Sequence, residues 1–491
     1  MLLSQLLQTI VASEVIGPDD ITVSQLVSDS RRVEADSVFV AVSGPVSDGH
    51  DYIDAAIQKG AVAVVCEHMP VSPATGVTYV RVPDASVALG VMASEWYGNP
   101  SRHLTLVGVT GTNGKTTTAT LLYEMARLAG HRAGLLSTVE NRVDTEVFPA
   151  HNTTPSPLEI NGLLARMVAA GCTYAFMEVS SHGLVQHRTA GLHFAGGIFT
   201  NLTRDHLDYH KTFANYLAAK KSFFDQLPST AWALTNLDDP NGQVMLQNTS
   251  ARRCTYSLRG SATFRCRIVE SHIDSMLLNI NGTDVTTRFA GRFNAYNLTA
   301  VYGAAVLMGM DAHQAAVMLS QLVPVAGRFQ LYRSDDGVTA IVDYAHTPDA
   351  LQNVLATVAD AMGPNPRGRI ITVFGAGGNR DHGKRPQMGR IAADMSARVI
   401  ITSDNPRDED PDDIADDVKA GVPVDTQAQV DIIIERAAAI HVAITEACPG
   451  DVVVVAGKGH EDYQVFANNL HVHFDDRQQV QNALQARMLP D

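Results

Sequence analysis

An apolar run, Leu104 to Val109, leads straight into Thr110-Gly-Thr-Asn-Gly-Lys-Thr-Thr117, and together they admit few folds. A strand, a glycine-rich turn, then Lys and Thr opening a helix is the pattern of a phosphate-binding loop. Gly111 and Gly114 let the backbone bend so that its N–H groups face phosphate oxygens. The helix starting near Lys115 adds its positive end. Lys115 can reach the β- and γ-phosphates, and the Thr116 hydroxyl can ligate magnesium. Thr112, Asn113 and Thr117 complete the nucleotide-binding set. The loop is a variant, because Val109 stands where the common pattern has its first glycine. ATP with magnesium is the expected ligand; an ordinary strand–turn–helix junction is the alternative.

Strand–loop–helix units imply a sheet with strands mostly parallel. After the loop, Leu121, Leu122, Met125 and Leu128 share one helical face and Gly130 stops the helix. Strands are expected at Tyr174 to Val179 and Gly197 to Thr200, again implying a largely parallel sheet. Before the loop, Ser37 to Val42 and Ala61 to Val65 read as strands and Tyr52 to Lys59 as a helix. After Gly327-Arg-Phe-Gln330, strands at Thr339 to Val342, Arg369 to Phe374, Arg398 to Thr402 and Asp451 to Val455 suggest a doubly wound sheet. A chain of 491 residues exceeds one core. The expectation is an α/β protein of three domains, 1–102, 103–331 and 332–491, the last Rossmann-like.

Net charge is −15, from 37 basic and 52 acidic residues, which disfavours a general nucleic-acid binder. The five cysteines form no C-x-x-C pair, so neither a disulfide framework nor a zinc site is expected. The N-terminal residues lack a basic leader and read as a short amphipathic helix. No apolar run suits a bilayer, and a cytoplasmic location without membrane insertion is expected.

Two further places hold reactive side chains at strand ends. Glu178 closes an apolar run, where a carboxylate is costly unless it meets a cation. His206 lies in Asn201-Leu-Thr-Arg-Asp-His-Leu-Asp208, beyond the next strand. An imidazole there can reach a second metal, although a loop histidine is more often a surface group.

The motifs Thr110 to Thr117, Met177 to Arg188, Thr200 to His210, Phe289 to Asn297, Val342 to Leu351 and Ala456 to Gln464 together resemble the Mur ligases of peptidoglycan synthesis. The resemblance runs from the first domain to the last. It is strongest to the member that adds the third amino acid to UDP-N-acetylmuramoyl-L-alanyl-D-glutamate. It implies a UDP-substrate domain, a central ATPase and an amino-acid-binding domain in a monomer whose expected partners are its small substrates. The implied reaction is ATP-driven amide formation through an acyl phosphate. Lys115, Thr116, Glu178 and His206 then supply the phosphate and magnesium environment, and Lys220 matches a carbamylated lysine holding magnesium. By sequence alone Lys220 reads as a helix-surface residue. Asn294 and Asn297 match adenine contacts, and Arg328 and Asp343 match ATP contacts from the second and third domains. An interdomain salt bridge is the plainer reading of that last pair. Gln330 stands where some relatives carry Glu. Ser28 and Ser30 match the uracil-side pocket, with Pro45-Val46-Ser47 beside it. Asn152, Thr153, Thr154, Ser180, Gln186 and Arg188 match the surroundings of the muramoyl dipeptide.

Asp404-Asn405-Pro406-Arg407 resembles the family's signature for meso-diaminopimelate. That amino acid ends in an ammonium and a carboxylate, whereas lysine ends in an ammonium alone. Arg407 and Arg380 can grip the carboxylate; Asp404 and Glu461 can accept from the ammonium, with Gly457 alongside. A turn with solvated charges is the plainer alternative. Gly375-Ala-Gly-Gly378 fails the dinucleotide spacing and is expected to be a tight turn presenting Arg380. L-lysine as the added amino acid, a folylpolyglutamate-synthase-like ligase, or a nucleotide switch without ligation remain the rival readings.

Overall fold

A computed structural model describes residues 1–44, 47–364 and 366–487; Pro45 and Val46 lie outside the described residues. Three main sheets follow one another along the chain. The first has five strands, ordered Glu14–Ile16, Thr78–Arg81, Ala61–Cys66, Ser37–Val40 and Gln25–Val27. Only its first pair is antiparallel.

The second sheet has eleven strands. Its centre is parallel: Ala133–Leu136, Tyr174–Glu178, Thr105–Thr110, Gly196–Phe199, Trp232–Asn236 and Arg252–Ser257. The sheet is largely parallel, as expected, and antiparallel strands are added at both edges. Glu140–Val143 and Glu146–Pro149 extend one side as a hairpin, and Phe264–Ser271, Met276–Ile280 and Thr283–Thr287 form a meander on the other. The meander strands alternate buried and exposed residues, as half-covered antiparallel strands do.

The third sheet has six strands, ordered Gln330–Arg333, Thr339–Asp343, Val452–Ala456, Ile370–Phe374, Arg398–Ile401 and Gln429–Ile432. Gln330 and Leu331 pair with Val342 and Ile341. A boundary at 331 would therefore cut a strand of this sheet, and the pairing moves the division to before Gln330.

Each of these sheets has a core on both faces. In the second, the helices Lys115–Leu128 and Arg292–Leu307 cover one face through Leu121, Leu122, Met125 and Leu298. The helices Pro157–Ala169 and Phe213–Asp225 cover the other through Ile160, Leu164, Phe223 and Phe224. Leu128, expected on the buried face, is 45% exposed at the last residue of its helix. Among the described residues no helix is long and apolar enough to cross a membrane.

Candidate active site

The phosphate loop is shaped by contact as well as by conformation. Gly111 has φ 149° and Gly114 φ 85°. A Cβ on Gly111 would strike Thr200 Oγ1, and one on Gly114 would strike Asn297 Oδ1. Asn297 and Asn294 are buried on the helix Arg292–Leu307, so the first stands against the loop and the second one turn from it. Lys115 folds back and donates to Gly111 O at 3.0 Å and Thr112 O at 2.8 Å. Thr112 Oγ1 lies 3.0 Å from Tyr216 OH, and the Asn113 amide donates to Asp349 Oδ2 at 2.9 Å, tying the loop to the third domain. Thr117 is buried beneath the loop in the first turn of the helix.

The groups expected around the nucleotide converge on Lys115. Glu178 is 0% exposed. Its Oε1 accepts from Thr138 N at 2.8 Å, while Oε2 has no hydrogen-bond partner among the described residues. Lys220 is 1% exposed, which rules out the surface-lysine reading. It occupies the inner face of the helix Phe213–Asp225 and donates to Gly111 O at 2.7 Å. Burial, reinforced by Lys115, holds the Lys220 amine well below the usual lysine range, against the pull of Asp205. Burial also lowers Lys115, with Glu178 and Asp205 opposing. His206 has φ 54° and lies 3.3 Å from Asp205 Oδ2. Burial depresses its imidazole, with Asp205 acting the other way.

Asp205 is a carboxylate that sequence reasoning passed over. Burial raises it, but His206, His346 and Lys384 outweigh that and hold it low. His346 and Lys384 belong to the third domain, so the seam between the domains runs through this cluster. Among the described residues no group of three or more His, Cys, Asp or Glu forms a ready metal site. The free Glu178 oxygen and the Thr116 hydroxyl nevertheless offer the hard oxygen donors that magnesium takes.

Arg328 crosses the seam. Its Nη2 donates to Thr116 Oγ1 at 3.1 Å and its guanidinium covers the Tyr344 ring at 4.4 Å. It makes no ion pair with Asp343, whose Oδ2 instead accepts from Phe329 N at 2.7 Å. Gln330 Oε1 accepts from Gly327 N at 3.0 Å, a role that needs no charge. Burial pushes the Asp343 carboxyl up to about 6, with Arg328 and the Phe329 amide pulling down. A carboxyl raised from 3.8 to about 6 on folding stabilises the fold below pH 3.8 and loses that contribution as pH rises through 6. Asp343→Asn keeps the acceptor without the charge. It should gain about 2–3 kcal/mol of stability over the native protein at pH 8 relative to pH 4. Urea unfolding at the two pH values, followed on the third-domain transition, measures this.

The dipeptide-side residues form one network behind Glu178. Arg188 donates to Gln186 Oε1 from Nε at 3.0 Å and Nη2 at 2.7 Å, and to Thr154 O from Nη1 at 2.6 Å. Thr154 Oγ1 lies 2.9 Å from Glu178 O and 3.0 Å from Ser180 Oγ. Thr138 Oγ1 donates to Thr153 Oγ1 at 3.1 Å, and Asn152 is exposed beside them. Ser28 and Ser30 are half-buried in the first domain, near the turn Ser30–Arg32. Among the described residues no hydrogen bond or ion pair joins them to this network.

The third-domain corner follows the strand Arg398–Ile401. Arg407 has φ 54°, and its Nη1 donates to Gly378 O at 2.8 Å. Burial and Arg380 both lower its guanidinium; burial lowers His182 across the seam as well, with Arg188 and Arg380 adding to it against Asp208. Arg380 is exposed and follows Asn379, whose φ of 53° makes the turn expected of the glycines before it. Gly375 and Gly378 serve close approach instead: a Cβ there would strike Thr402 O and Pro406 O. Asn405 Nδ2 donates to Glu461 Oε2 at 2.9 Å, and Gly457, at φ 122°, lies against Asp404.

A phosphate loop thus faces a corner of paired charges across a seam between two α/β domains, the layout of a two-substrate, nucleotide-driven enzyme. Family models match in three stretches: Mur ligase family, catalytic domain, over 22–97; Mur ligase middle domain over 109–305; and Mur ligase, glutamate ligase domain, over 327–459. The chain belongs to the Mur ligase family. It is 56% identical over 480 residues to a UDP-N-acetylmuramoyl-L-alanyl-D-glutamate--2,6-diaminopimelate ligase of Parabacteroides distasonis, covering 98% of each chain. It is 53% identical to the protein of that name from Bacteroides thetaiotaomicron, over 97% of this chain and 98% of the relative. A solved structure of a ligase with that name covers all of both chains at 31% identity, with a TM-score of 0.70.

Proposed function

We propose that this chain joins meso-diaminopimelate to UDP-N-acetylmuramoyl-L-alanyl-D-glutamate at the expense of ATP, in the cytoplasmic supply of peptidoglycan precursor. Asp404, Asn405, Arg407 and Glu461 form a corner of paired charges on the domain whose Asp349 touches the phosphate loop, and this arrangement, which suits a zwitterion, supports the reading. The division of labour follows the three sheets, with the second boundary set before Gln330.

Both reactants are anionic, so the chemistry begins with charge. Lys115 and Arg328 hold the γ-phosphate and balance its charge as the substrate carboxylate approaches. Arg188 fixes the dipeptide, its guanidinium already shaped by Gln186 and Thr154. The carboxylate attacks the γ-phosphorus, ADP leaves, and an acyl phosphate remains. Arg407 and Arg380 then seat the distal carboxylate of the amino acid, which aims its other amine at the acyl carbon. Amide forms and phosphate departs. Thr116, Glu178, His206 and a carbamylated Lys220 would hold magnesium, which supplies neutralising charge beside the phosphates. The seam through Asp205, His346 and Lys384 keeps water from the acyl phosphate.

The test is a product-mass assay with the UDP-dipeptide, ATP and a panel of amino acids. Tripeptide product with meso-diaminopimelate and almost none with L-lysine is expected. Robust product with lysine would sink the specificity, and ATP hydrolysis indifferent to every carboxylate and amine would sink the ligase.

A further inference from the structure

Lys458 stands between two glycines in Ala456-Gly-Lys-Gly-His460, where a loop lysine would ordinarily be solvated. Its side chain is instead 0% exposed. Nζ donates to Asn405 Oδ1 at 2.9 Å and to Glu461 Oε2 at 3.0 Å, and lies 3.5 Å from Asp404 Oδ1. The two carboxylates that face an incoming ammonium therefore already share an internal cation. Asn405 is fixed by the same contacts, since Oδ1 also accepts from Val465 N at 3.0 Å while Nδ2 serves Glu461.

We propose that Lys458 is a specificity-determining residue: its buried charge sets the corner to accept a distal zwitterion and to reject a distal cation. The proposal rests on the functional reading above and deepens it. The charges decide the matter. Asp404 and Glu461 contribute two negatives; Arg380, Arg407 and Lys458 contribute three positives. These five groups are thus one positive charge in excess before any substrate arrives, and Arg436 beside Asp404 is neutralised by its own ion pair with Asp476. The far end of diaminopimelate is neutral overall and adds nothing to that excess. The far end of lysine adds a second positive charge in a desolvated place, where repulsion is poorly screened. Without Lys458 these groups balance, and a lone ammonium meets Asp404 and Glu461 with no internal cation between them. Arg407 and Arg380 reward the right substrate; Lys458 penalises the wrong one.

The test compares kcat/KM for meso-diaminopimelate and for L-lysine in the native enzyme, in Lys458→Met and in Lys458→Gln. Methionine matches the volume without charge, and glutamine also keeps a donor for Asn405. In both variants the preference for diaminopimelate should fall about ten- to a hundredfold, with the use of lysine rising in absolute terms. A ratio unchanged in either variant, or equal losses on both substrates, overturns the proposal and leaves Lys458 a structural lysine. Should the methionine variant not fold, the glutamine variant decides by the same ratio. Failure of the native enzyme to use either amino acid would overturn the functional reading itself, and is seen in the first arm.

Discussion

Glu178→Gln is expected to slow ligation about a thousandfold while leaving the free protein at least as stable to heat. Glu178 ends the central strand Tyr174–Glu178 with no solvent exposure, and one of its oxygens lacks any partner among the described residues. A buried carboxylate left in that state costs the fold free energy, so the fold alone gives no reason for it. Glutamine preserves the acceptor for Thr138 N and removes the charge. A group retained for structure would show the opposite: lower stability and nearly native turnover. The experiment pairs a steady-state rate, with all substrates present, with thermal unfolding in the absence of nucleotide. Adding magnesium and an ATP analogue should raise the melting temperature of the native protein much more than that of the variant. A rate within about tenfold of native would remove Glu178 from the reaction.

The phosphate loop was legible because all its information is local: an apolar strand, two glycines and a Lys-Thr helix start lie within one short stretch. The parallel strands were legible for a similar reason, being unbroken runs of apolar residues buried on both faces. The meander at Phe264 to Thr287 is written differently, in strands that alternate. Its signal is Asn281-Gly282, at φ 49° and 91°, the pair that a tight hairpin turn demands. The buried Lys220 also carries a local signal. Tyr216, Lys220 and Phe224 recur every four residues on one face of their helix, so the lysine sits in an apolar stripe. Asp205 and Lys458 carry no such signal. Each is a charged residue in a loop, and its burial is created by segments far away in sequence: His346 and Lys384 for one, Asp404 and Asn405 for the other. Pairings of that kind become visible only once the domains are packed.

Lys220→Met is expected to be as damaging as the loss of Glu178, about a thousandfold or more, and the company it keeps says why. A lysine this deeply buried beside Lys115 is poorly suited to carry a second positive charge, and its pKa is held low accordingly. A neutral amine is the form that adds carbon dioxide: the nitrogen lone pair bonds to the carbon, a proton leaves the nitrogen to solvent, and the resulting carbamate is an anion on a long arm. That change places an anion beside the Lys115 cation at the loop, which suits a magnesium–phosphate complex far better. Three substitutions separate the possibilities. If the working group is the carbamate, Lys220→Glu should recover part of the activity that Lys220→Met loses, and Lys220→Arg should recover none. If a simple cation is what the site requires, arginine should be the better replacement and glutamate the worse. Stripping bicarbonate and carbon dioxide from the assay adds an independent arm: native activity should fall and return on adding bicarbonate, whereas that of Lys220→Glu should not respond. Native-level turnover by Lys220→Arg, or indifference of the native enzyme to bicarbonate, would discard the carbamate and leave Lys220 as a buried donor to Gly111.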